Sequence, residues 1–113
     1  MIRIRLVSKD ADEFSAFESA GHAGSAEYGK DIVCAAVTAL LKTAVLALKA
    51  AERKGLLRVK IDAERAGFLS VKIEESDKKN GERLRCLFEF LTIGLLSIEA
   101  EYPDCLNLEI VNE

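Results

Sequence analysis

Asp31-Ile32-Val33-Cys34-Ala35-Ala36-Val37-Thr38-Ala39-Leu40-Leu41-Lys42-Thr43-Ala44-Val45-Leu46-Ala47-Leu48-Lys49-Ala50-Ala51-Glu52-Arg53-Lys54-Gly55 reads as one long helix from about Asp31 to Lys54. Asp31 fits the cap or the first turn, and Gly55 is a C-terminal stop. Apolar residues lie on nearly every face. Such a helix is expected to be mostly buried, on a sheet and against a partner. Lys42 and Lys49 interrupt the apolar run, so no membrane span is expected.

The flanking sequence supplies the sheet. Residues 2–8 (Ile-Arg-Ile-Arg-Leu-Val-Ser) alternate as a strand, Asp10 to Asp12 makes a polar turn, and 13–20 give a second strand, joined as a hairpin. This N-terminus lacks the continuous apolar run of a signal peptide. Beyond the helix, 56–63 and 67–74 are two more strands, turning at Glu64-Arg65-Ala66-Gly67. Asp77 to Gly81 is a polar linker. A second helix from Glu82 to Glu101 carries the stripe Leu84, Leu87, Phe88, Leu91, Leu95 and Ile98, with Phe90 and Ile93 off it. Pro103 ends it, and Leu106, Leu108 and Ile110 alternate as a last strand. The order ββαββαβ predicts a two-layer α+β domain, with a mainly antiparallel sheet and one domain over residues 1–113. Surplus apolar surface on both helices predicts a homodimer.

Charge narrows the function. Sixteen Lys and Arg against nineteen Asp and Glu give a net charge of −3, with no basic cluster to hold nucleic acid directly. The three cysteines, Cys34, Cys86 and Cys105, lack CxxC spacing and are expected as thiols in the cytoplasm. Cys86 and Cys105 read as structural. With one histidine, no metal site or other cofactor is expected.

Chemistry concentrates just before and within the first turn of the long helix. Gly21-His22-Ala23-Gly24-Ser25-Ala26-Glu27-Tyr28-Gly29-Lys30 is a glycine-broken loop holding the only histidine. Cys34 follows about one turn into the helix, where the dipole and unpaired N–H groups favour a thiolate. A histidine on a flexible loop can serve as its base. Asp31 caps the helix or orients His22. Its charge, beside the thiol, opposes the dipole. By residue type alone, Cys34 also reads as a core cysteine and His22 as an ordinary loop residue.

The run Gly21-His22-Ala23-Gly24 … Gly29-Lys30-Asp31-Ile32-Val33-Cys34-Ala35-Ala36-Val37 resembles the signature of the ribosomal-processing cysteine protease family, Prp. The resemblance implies a cytosolic, generally dimeric enzyme that removes the N-terminal extension of a large-subunit ribosomal protein after an aromatic pair. It implies Cys34 as nucleophile, His22 as general base and acid, and Asp31 as the motif aspartate. Residues 21–30, with Gly21, Gly24 and Gly29, would be the flexible substrate loop. Thr38 stands where the family usually has serine, and Ser25 where it often has an aromatic residue. Two other readings remain open: a non-catalytic module docking on ribosomal proteins, and a thiol acyl-transfer enzyme with a deep pocket for a small substrate.

Overall fold

The structure, a computed structural model, describes residues 1–10, 12–21 and 30–113, with Lys30 and Asp31 described by backbone alone. Strands β1 (Ile2–Lys9) and β2 (Glu13–Ala20) form a hairpin; then come helix α1 (Lys30–Arg53), strands β3 (Leu57–Asp62) and β4 (Phe68–Ser76), helix α2 (Gly81–Glu101) and strand β5 (Leu106–Asn112). The ββαββαβ order is thus as expected. The five strands lie in the order β3-β4-β2-β1-β5. All pairings are antiparallel except β1 with β5.

Alternation builds the layers. Ile2, Ile4 and Leu6 of β1 point to the helices, while Arg3 and Arg5 point away. A register shift at Val7/Ser8 lets both those residues be buried. Phe14 of β2 stacks on Phe17 and meets the ring of Phe88 from α2 edge-on, at 5.4 Å between centroids. From α1, Val33, Val37, Leu41, Ala44, Leu48 and Ala51 form the buried stripe, at steps of three and four. The α2 stripe is as expected, with Leu84, Phe88, Leu91 and Leu95 buried and Leu87 and Ile98 half-buried against the core. Phe90 and Ile93 are exposed.

Several details differ from the sequence reading. The long helix is buried along one stripe only, leaving Ile32 and Leu46 exposed, because a single sheet and one neighbouring helix cover one side of it. Ile32–Arg53 is also long and apolar enough, by length and composition, to cross a membrane, despite its lysines. In this fold its apolar stripe is the roof of the core. Cys86 is exposed, whereas Cys105 is buried just before β5; all three cysteines are thiols. The polar linker holds a short 3-10 turn, Lys78–Asn80, capped by Asp77. Asn80 is buried, and its amide donates to the Leu56 carbonyl, tying that linker to the end of α1.

The ends of α1 and the sheet edges are closed by local bonds. Gly55, at φ +75°, ends α1, with Gly55 N–H donating to Glu52 and Leu56 N–H to Ala51. Each edge strand receives a glutamate from a helix. Glu52 of α1 accepts from Val59 N–H of β3 at 2.9 Å, and Glu99 of α2 accepts from Leu108 N–H of β5 at 2.6 Å.

Candidate active site

Cys34 is the fifth residue of α1, immediately past the turn whose N–H groups lack intrahelical partners. It is half-buried. One turn on, Thr38 shares its face. Both line an open groove of about 550 Å³ between α1 and the β3–β4 hairpin. Val37, Leu41 and Val45 continue the α1 wall; Ile61, Phe68 and Leu69 form the facing wall. The Arg65 guanidinium lies 4.4 Å from the centroid of the Phe68 ring, bracing that wall.

Gly21 forms the lip, where the chain leaves β2. Its φ is +95°, and a Cβ there would overlap the Met1 carbonyl oxygen. Only glycine fits both demands. Its N–H donates to the Gly67 carbonyl at 2.9 Å, so the lip is tied to the turn that starts β4.

Of the residues expected at the site, Cys34, Thr38 and Gly21 are therefore brought to one groove. His22, Gly24 and Gly29 lie outside the described residues, as does the side chain of Asp31. Among the described residues, no three His, Cys, Asp or Glu side chains group as metal ligands. The sequence reading missed the hairpin wall and two basic residues of the α1 wall, Lys42 and Lys49. The lysines had a visible signal: from Cys34, positions 38, 41, 42, 45 and 49 recur at helical spacing along one face. The hairpin wall had none, because it meets α1 only through tertiary packing.

Chemically, an open groove with apolar walls suits an extended chain bearing apolar side chains. A thiol near one end, beside the positive end of a helix, suits attack on a carbonyl of such a chain.

A family model described as Cysteine protease Prp matches residues 1–107. The Ribosomal processing cysteine protease Prp of Bacillus subtilis (strain 168) is 36% identical over 93 residues, 81% of this chain and 81% of that protein. Among solved structures, SMU.848 from Streptococcus mutans superposes with a TM-score of 0.80 at 29% identity, covering 100% of this chain and 96% of that one. The ribosomal processing protease Prp from S. aureus, in complex with a covalently linked product peptide, superposes with a TM-score of 0.74 at 27% identity, covering 97% of this chain and 99% of that one.

Proposed function

The chain belongs to the Prp cysteine protease family, and from that premise we propose that it removes the N-terminal extension of a large-subunit ribosomal protein, with Cys34 as nucleophile. The reading of a non-catalytic module gives way to a hydrolase. One observation carries the assignment of Cys34. It lines an open apolar groove together with Gly21, the residue that precedes His22 in the chain.

In the proposed reaction the extension lies extended in the groove. His22 takes the thiol proton as Cys34 Sγ attacks the scissile carbonyl carbon. Backbone N–H groups at the start of α1 stabilise the oxyanion. Collapse breaks the C–N bond, His22 gives its proton to the leaving amine, and a thioester remains on Cys34. Water, deprotonated by His22, hydrolyses the thioester and restores the thiol. Asp31 orients His22 or caps α1. Thr38 shapes the groove one turn from the nucleophile, Gly21 holds the groove lip, and Gly24 and Gly29 belong to the proposed substrate loop. The covalent product-peptide complex of the S. aureus relative supports a nucleophile that bonds to its substrate. The name of the B. subtilis relative supports a ribosomal protein as substrate. The reading includes one domain over residues 1–113, a cytoplasmic location and a homodimer, and needs no cofactor or metal.

The test mixes the protein with the same organism's extended ribosomal protein and measures product mass. Wild type should release the extension; Cys34→Ala should release none while keeping the wild-type circular dichroism spectrum. Cleavage by Cys34→Ala at the normal rate would sink the assignment. Iodoacetamide should alkylate Cys34 fast in wild type and markedly more slowly in His22→Ala.

A further inference from the structure

The floor of the groove holds a buried hydroxyl with nothing to bond to. Three polar side chains are buried among the described residues: Ser8, Ser19 and Asn80. Ser8 donates to Asn112 Oδ1 at 2.9 Å, and the Asn80 amide donates to the Leu56 carbonyl. The Ser19 hydroxyl has no hydrogen-bond partner among the described residues. Ser19 is 9% exposed, and the surface it keeps faces the groove it lines. Strand register explains its place. Ser19 of β2 sits between Ile4 of β1 and Leu69 of β4, in a row that faces the helices. The bond from Val59 N–H to Glu52 sets the start of β3 against the end of α1. From there the pairs Val59–Ile73, Ile61–Val71 and Val71–Phe17 lead back toward the start of α1. Ser19 is one alternate step farther, so it lies on the Cys34 side of Ile61.

A buried hydroxyl without a partner is unfavourable, and a hydrogen bond from an occupant removes that penalty. Apolar Ile2, Val37, Leu41 and Leu69 line the groove around it. The main chain of a bound peptide stays above these side chains, so only a side chain reaches between them. That side chain needs an apolar body and a hydrogen-bonding tip, which describes tyrosine. Serine is also small, so the floor leaves room for a ring to descend. The flank follows from the chemistry. The acyl half stays on Cys34 as the thioester while the amine half departs, so the groove beside the thiol holds the N-terminal flank. We infer that Ser19 is a specificity-determining residue, whose hydroxyl bonds the phenolic hydroxyl of a tyrosine immediately N-terminal to the scissile bond. The protease then accepts Tyr there as well as Phe, and this one bond sets the balance between them. The inference deepens the reading of Cys34 as nucleophile and takes the scissile bond from it.

The experiment is a cycle between one hydroxyl on the enzyme and one on the substrate. Fluorogenic peptides spanning the extension junction of the ribosomal protein carry Tyr or Phe immediately before the cut, which product mass locates. Wild type, Ser19→Ala and Ser19→Thr are compared by kcat/KM. Anisotropy of fluorescein-labelled versions reads binding to Cys34→Ala and to Cys34→Ala with Ser19→Ala. Wild type should cleave the Tyr peptide at least as well as the Phe peptide. Ser19→Ala should lower the Tyr-to-Phe ratio about three- to ten-fold. Ser19→Thr keeps the hydroxyl and should hold the ratio nearer to wild type. A general loss of packing would lower both peptides together and leave the ratio in place. An equal Tyr-to-Phe ratio in wild type and Ser19→Ala overturns the inference and means that the hydroxyl meets only water. If Ser19→Ala removes a Tyr advantage in binding but wild type cleaves neither peptide, the nucleophile reading alone has failed. If both peptides are cleaved at a ratio that Ser19→Ala leaves unchanged, the serine reading alone has failed.

Discussion

Gly21 shows how much a single backbone position can hold at this site. Its left-handed φ of +95° and the overlap of a hypothetical Cβ with the Met1 carbonyl oxygen act in the same direction. Alanine there must both adopt a disfavoured conformation and push the β1 strand start away. The expected cost is about 1–3 kcal/mol from conformation, with the steric displacement added. Urea unfolding of Gly21→Ala should show a lower midpoint than wild type, and the groove lip should loosen through the Gly67 carbonyl that Gly21 N–H holds. An unchanged midpoint would mean that β1 yields without strain. Asn80 acts similarly at the other end of α1, where a buried amide fixes the chain through one carbonyl.

At the scale of elements, α1 divides cleanly into a structural and an exposed face. Leu48 is buried and Leu46 is exposed, two residues apart on the same helix. Leu48→Ala should cost about 2–5 kcal/mol, as a cavity opens against the sheet. Leu46→Ala should stay within about 0.5 kcal/mol. Chemical denaturation of the two variants checks this, and equal losses would contradict the placement of the helix. The elements themselves were legible because periodicity is local: steps of two mark β1 and β5, and steps of three and four mark α2. The hairpin β1–β2 followed from a short polar turn. The order β3-β4-β2-β1-β5 was not legible, since pairing β2 with β4 and β1 with β5 joins segments far apart in sequence. The site divides along the same line. Cys34 and Thr38 could be read together from helical spacing, while Ile61 and Phe68, on the opposite wall, could not. Asn80 reads in the sequence only as part of a polar linker, because only the folded chain brings the Leu56 carbonyl to it.

At the scale of the whole molecule, exposed apolar side chains gather on α2. Phe90, Ile93 and Leu96 are 66%, 61% and 43% exposed, and they follow one another at steps of three along one side of the helix. They are the surface we propose for the homodimer. Phe90→Glu with Ile93→Glu should convert a sedimenting dimer to a folded monomer, seen as a lower sedimentation coefficient with an unchanged circular dichroism spectrum. A wild-type protein that sediments as a monomer at all concentrations would remove the proposal. The glutamates on the edge strands have a consequence of their own at this scale. Backbone donors on an outer strand are what lets one sheet recruit the next chain into a growing fibre. Glu52 occupies one such donor on β3 and Glu99 one on β5, so both flanks of the sheet carry a stopper supplied by a different helix. Because each stopper hangs on a helix, it stays in place only while that helix is docked. Local undocking of α1 or α2 would therefore unblock an edge before the sheet itself comes apart. Heat or denaturant should first turn this molecule sticky along one flank, and the choice of flank identifies the helix that left.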